Sequence, residues 1–301
     1  MQKAVFLGVS LLLGCGGSEE PLESTDGGVD SRPVGVDAAV SSGDSQSLGG
    51  DGEVSSGGAF LAFTKASPDN PPKMAAFGID QTSKVADAVN RLSSPSYSLE
   101  VLLDPSSISL SVLKGRLEHY RSSLGGGDTF VMYSHTHGTD AGLMIDFAPQ
   151  SAAGALGWND LAGAILALPA RNVVVFTMSC HSGHLADALS ALASTWKGQR
   201  VSAGRNLIVL TSVSSDQVSG ATNYSTDTNA IGHPFTYAVR TALAGQADGF
   251  LDGVRNGTIE MDELVQYVLK TTKEKSTDQL AEPRLAGEYD PKAVFAPVPG
   301  A

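Results

Sequence analysis

The chain has 301 residues, 42% of them hydrophobic, and its 32 Asp and Glu against 20 Lys and Arg give a formal net charge of -12. That length accommodates one large domain or two small ones. No basic stripe appears that would neutralise phosphates, which argues against a nucleic-acid partner.

The chain opens with Lys3 and an apolar run over residues 4–13 that is too short to span a bilayer as a permanent helix. It ends in Leu12-Leu13-Gly14-Cys15. This resembles a bacterial lipobox, which implies that residues 1–14 are a signal peptide and that Cys15 becomes the lipidated first residue. Gly16 follows, with no Asp there to suggest retention in an inner membrane. The expected location is therefore the exported cell envelope, anchored at the outer membrane through lipid on Cys15. Residues 16–58 lack Phe, Trp and Tyr and are crowded with Gly, Ser, Asp and Glu. So few large apolar groups cannot offset ordering entropy, so residues 15–58 are expected to be a disordered acidic tether. A coil of that length spans roughly 35 Å.

From residue 59 the pattern becomes strand and helix in alternation. Strands are expected over residues 59–63, 99–103, 129–134, 173–178 and 207–211. Helices are expected over 79–92 with Asp80 as N-cap, 108–124, 158–168, 184–196 and 235–243. Strands that are apolar throughout belong in a parallel sheet covered on both faces, so residues 59–295 read as one α/β domain with three layers. The polar, Gly-containing segment 194–206 reads as a protease-accessible loop.

Ligands of an open parallel sheet sit at the carboxyl ends of its strands. Two strands here end on reactive side chains: Tyr133-Ser134-His135-Thr136-His137-Gly138, and Met178-Ser179-Cys180-His181-Ser182-Gly183. Cys15 and Cys180 are the two cysteines, so lipidation of the first leaves the second without a disulfide partner in the chain. A thiol near pKa 8.5 needs a base beside it to act as a nucleophile at neutral pH.

These two motifs resemble those of the caspase-like clan of cysteine peptidases, the bacterial metacaspase-like branch most closely. The 43 positions between His137 and Cys180 lie near the roughly 50 usual for caspases. Ser214-Ser215-Asp216-Gln217-Val218-Ser219 and Gly232-His233-Pro234-Phe235-Thr236 extend the likeness downstream. The resemblance implies a caspase-like fold with a mostly parallel sheet and an endopeptidase acting on a protein or peptide substrate through a thioester, with no cofactor. It implies Cys180 as nucleophile, His137 as base, and the backbone N–H groups of Gly138 and Cys180 as the oxyanion hole. One extra residue before the His-Gly pair makes His135 a rival base, while His181 and His184 are expected to cap or line a helix start. Metacaspases place acidic side chains in the primary pocket, where this chain has Met178 and Ser215, with Asp216 adjacent. An uncharged residue before the scissile bond is therefore expected. A legumain-like peptidase or transpeptidase of the same clan, and a non-enzymatic surface interaction lipoprotein, are the alternatives. No metal is assigned. Residues 252–263 match a calcium loop in part, but Val254 stands where the third-position carboxylate belongs, so calcium is an unfavoured possibility.

Overall fold

The computed structural model describes residues 57–67, 72–92, 96–104, 107–146, 154–222, 230–276 and 281–298. The expected signal peptide, Cys15 and nearly all of the tether lie outside them.

The chain runs β1 (Gly58–Lys65), α1 (Pro72–Asn90), β2 (Tyr97–Leu102), α2 (Leu110–Ser123) and β3 (Thr129–Thr136). Three short strands follow: β4 (Gly138–Thr139), β5 (Gly142–Met144) and β6 (Ala155–Gly157). Next come α3 (Trp158–Leu166), β7 (Asn172–Met178), α4 (Gly183–Ala191), α5 (Ala193–Trp196), α6 (Gln199–Ser202), β8 (Asn206–Thr211) and α7 (Pro234–Thr241). The last elements are β9 (Thr258–Glu260), α8 (Met261–Lys275), β10 (Arg284–Glu288) and β11 (Val294–Pro297).

Six strands form the central sheet in the order β10-β8-β7-β3-β1-β2. All neighbours are parallel except β10, which pairs antiparallel along the β8 edge. The period of two along each strand divides the core. Leu61, Phe130, Met132, Val173, Val175 and Val209 face α2, α3 and α4. Phe60, Val131, Tyr133, Val174, Phe176 and Leu210 face α1, α7 and α8. Both faces of the sheet are covered, and this is why β3, β7 and β8 are buried at every position and carry continuous apolar runs. The mixed α/β, three-layer architecture with a mostly parallel sheet is the one expected from the sequence.

The structure corrects two local expectations. Helix α1 begins at Pro72, so Asp80 is not its cap; it lies mid-helix and pairs with Lys84 at 2.7 Å. Segment 194–206 is not a loose loop. It folds into α5 and α6, with Trp196 buried and the Arg200 guanidinium reaching the carbonyls of Leu168 and Ala170 at 3.5 and 3.2 Å.

Candidate active site

The strand register alone brings the two motifs together. His135 pairs with Met178 across β3 and β7, so His137 and Cys180 each stand two residues past the same paired level. Both line one cleft with Thr64 and Lys65 from the end of β1, Met74 and Gly78 from α1, and His135, Thr136, Met178, Ser179 and Ser219. The cleft therefore opens over the carboxyl ends of β1, β3 and β7. In that sheet order β1 and β3 also mark the point where strand connections change direction, the usual ligand position in such sheets.

The segment after His137 is held in place by its hairpin. The Met144 N–H donates to the His137 carbonyl at 2.9 Å and Thr136 Oγ1 donates to the Met144 carbonyl at 2.8 Å. Trp158 Nε1 donates to the Thr139 carbonyl at 2.8 Å, which ties the hairpin to α3. A Cβ at Gly138 would lie 2.0 Å from the Cys180 carbonyl oxygen and 2.9 Å from Ser179 Oγ. Glycine is thus required here by the close approach of the two motif backbones, a nearer reason than access for a substrate carbonyl. Gly183 has the same function on the far side, since a Cβ there would lie 2.3 Å from the Ser215 nitrogen.

The Cys180 thiol is buried, 3% exposed, and Ser219 N–H donates to its Sγ at 3.4 Å. The same sulfur donates to the Ser219 carbonyl at 4.0 Å, so the Ser219 backbone meets it through both groups. Ser219 is itself fixed by a buried hydroxyl network. Its Oγ lies 2.8 Å from His233 Nε2 and 3.1 Å from Ser212 Oγ, and Ser212 Oγ donates to the Ser179 carbonyl at 3.2 Å. The sequence contained Ser212, Ser219 and His233 without marking them as site residues. Small hydroxyls and one histidine carry no spacing signal of their own, and only the fold places them beside Cys180.

The two candidate bases differ in surroundings. His135, 7% exposed, shares the face of β3 with Val131 and Tyr133 and meets Phe77 edge-on at 6.1 Å and His233 at 6.2 Å. Burial, then the neighbouring charges of His233 and His137, push its imidazolium well below the ordinary range. Its Nδ1 has no hydrogen-bond partner among the described residues. Partly exposed His137 is also shifted down, by burial alone. Its position just past the strand end leaves it nearer to solvent and able to exchange protons.

Of the residues expected in the primary pocket, Met178 lines the cleft, whereas Ser215 and Asp216 do not. The Ser215 carbonyl accepts from His181 Nδ1 at 2.9 Å. Exposed Asp216 accepts from Ser214 Oγ at 2.7 Å, and that hydrogen bond is the main reason its carboxyl is held below the usual range.

In the partial calcium loop, Asp252 Oδ1 accepts from the Val254 N–H, and Glu263 accepts from the N–H groups of Gly249 and Glu260. Asp248, outside the loop pattern, accepts from the N–H groups of Asn256 and Gly257. These carboxylates cap the turn and the start of α8. Among the described residues, the one group of three His, Cys, Asp or Glu side chains close enough to share an ion is Asp140, His181 and His184.

No protein-family model and no curated protein matches the chain. Among solved structures, the chain is similar to caspase-1 from Spodoptera frugiperda, with a TM-score of 0.48 and 12% identity over 77% of this chain and 86% of that one. A likeness that weak says nothing about residues or activity in this chain.

Proposed function

We propose that the chain is a cysteine endopeptidase of the caspase-like kind, close to the bacterial metacaspase-like branch and carried on a lipoprotein. The observation that carries this proposal is the register: it sets His137 and Cys180 two residues past one paired level of adjacent parallel strands, in one cleft. His137 takes the Cys180 proton, and the sulfur attacks the carbonyl carbon of the scissile bond. The backbone N–H groups of Gly138 and Cys180 receive the developing oxyanion. Collapse forms the thioester and breaks the C–N bond, with His137 returning the proton to the leaving amine. Water activated by His137 then hydrolyses the thioester. No cofactor is needed, and the substrate is a protein or peptide.

Replacing Cys180 by Ala is expected to abolish cleavage of a peptide library and labelling by an electrophilic thiol probe while leaving the fold intact. His137→Ala is expected to lower kcat by on the order of 10³-fold, and His135→Ala far less. An inactive His135→Ala beside an active His137→Ala would move the base to His135. Peptide cleavage that persists in Cys180→Ala would remove the nucleophile and the proposal with it.

A further inference from the structure

Outside the residues assigned to catalysis, Asp140 stands at the turn between β4 and β5, His181 directly follows Cys180, and His184 lies in the first turn of α4. One ligand atom from each lies within 4.8 Å of the other two. Asp140 Oδ1 is 3.3 Å from His181 Nδ1 and 3.5 Å from His184 Nε2. The two imidazole rings lie 26° from parallel with centroids 6.4 Å apart.

Each ring has one nitrogen facing a protein oxygen. His181 Nδ1 donates to the Ser215 carbonyl at 2.9 Å, so its Nε2 carries the lone pair. His184 Nδ1 lies 4.0 Å from Asp187 Oδ2, and Asp187 is held in turn by Arg284 at 3.0 Å. Histidines that ligate metals give their second ring nitrogen to a carbonyl or carboxylate, as His181 does to Ser215, whereas 4.0 Å from His184 to Asp187 exceeds hydrogen-bond range. His181 is also the one non-glycine residue at positive φ, 56°, among the described residues. That left-handed conformation costs strain for a side-chain-bearing residue, and the His181 N–H donating to the Gln217 carbonyl at 2.8 Å helps hold it.

We propose that Asp140, His181 and His184 form a binding site for a Zn²⁺-class transition-metal ion. Two imidazoles and one carboxylate suit such an ion better than calcium or magnesium, and three protein ligands leave a fourth position for water. Bonds of about 2.0–2.2 Å to nitrogen and oxygen set tetrahedral neighbours roughly 3.3 Å apart. The nitrogen of His181 that Asp140 approaches is Nδ1, which is engaged with the Ser215 carbonyl, so the trio must rearrange to present Nε2, and Asp140, with its side chain 83% exposed, is free to swing. The ion would join the hairpin that follows His137 to the turn that follows Cys180, coupling the two loops that carry the dyad. Without it, the three groups are a partly exposed polar cluster of little energetic weight. The site stands apart from the peptidase reading and fails or holds independently of it.

The test uses the full chain with both Cys15 and Cys180 replaced by Ser, so that no thiol competes. Zn²⁺ titrated against a chromophoric chelator is expected to bind at one ion per chain. Co²⁺ is expected to give visible d–d absorption of a nitrogen- and oxygen-ligated site. His184→Gln and Asp140→Asn are each expected to weaken binding by at least about tenfold, while His137→Ala leaves it unchanged. No binding to this protein would overturn the proposal. So would an ion lost in His137→Ala and retained in His184→Gln, which would place it at the dyad instead.

Discussion

At the residue scale, the lining of the cleft and the buried histidines His135 and His233 have measurable consequences. Met178 lines the cleft and Asp216 does not; among the lining residues there is no carboxylate, and the one formally charged side chain is Lys65. A substrate Arg or Lys bound there would lose water without gaining an acidic partner, at a cost of several kcal/mol. A thioether instead suits an apolar or uncharged residue. Profiling a peptide library is expected to show cleavage after Arg or Lys on the order of a hundredfold weaker than after the preferred uncharged residue. A dominant Arg or Lys signal that vanishes in Asp216→Ala would assign Asp216 to the pocket. The second consequence concerns acid. Burial holds the His233 imidazolium down at about 3 and pushes His135 well below its ordinary value. In the unfolded chain both titrate near 6.5. Above that pH both states are neutral and this stability is fully present. As pH falls from about 6.5 toward about 3, the unfolded chain takes up protons that the folded one refuses, costing about 1.4 kcal/mol per pH unit per proton. His233→Gln is expected to reduce the slope of stability against pH by about one proton across that window, measured by urea denaturation at several pH values. An unchanged slope would mean that His233 is already protonated in the folded protein.

At the element scale, the legibility of the chain followed burial. Strands β1, β3, β7 and β8 are apolar at successive positions because helices cover both sheet faces, and all were readable as such. The antiparallel edge strand β10 was not. Arg284 and Leu285 are exposed, only Ala286 is buried, and Gly287 interrupts the run, so neither alternation nor an apolar stretch marks it. The hairpin formed by β4, β5 and β6 is too short for any period to show, yet it positions the backbone of His137. The site divides the same way. His137, Gly138 and Cys180 stand in a motif, whereas the Ser219–His233 support and the burial of His135 appear only once α1 and α7 pack on β3. Segment 194–206 was misread because its composition is polar while its anchors, Trp196 and Arg200, are two isolated residues. The Arg200 guanidinium, lowered by burial to about 10, closes carbonyls that follow α3. Replacing it by Met leaves those buried acceptors without a donor, which is expected to cost about 1–3 kcal/mol. The same variant should become readily nicked by added protease between α5 and β8. Equal resistance of variant and wild type in limited proteolysis would show that Trp196 alone holds the segment.

At the scale of the whole molecule, the proposed lipid anchor and the proposed peptidase can be tested apart. Among the described residues no helix is long and apolar enough to cross one. A lipid on Cys15, as proposed from the resemblance of Leu12-Leu13-Gly14-Cys15 to a lipobox, would need no such helix. A single acyl chain gives marginal, reversible binding, whereas a diacylglycerol on the cysteine sulfur with a further chain on the new amino group holds stably, each buried methylene contributing about 0.8 kcal/mol. The proposed attachment is covalent at Cys15 and the proposed dyad is His137 and Cys180, far downstream in the sequence, so anchor and activity are expected to separate cleanly. The mature protein is expected to begin at Cys15, to partition into detergent, and to carry the mass of its acyl chains. Cys15→Ala should yield a soluble or unprocessed form whose kcat/KM on a small peptide matches wild type. Because Gly16 rather than Asp follows the cysteine, fractionation is expected to recover wild type with outer rather than inner membranes. An intact mass showing a mature chain with no added acyl groups would refute the lipid anchor and leave the peptidase proposal untouched.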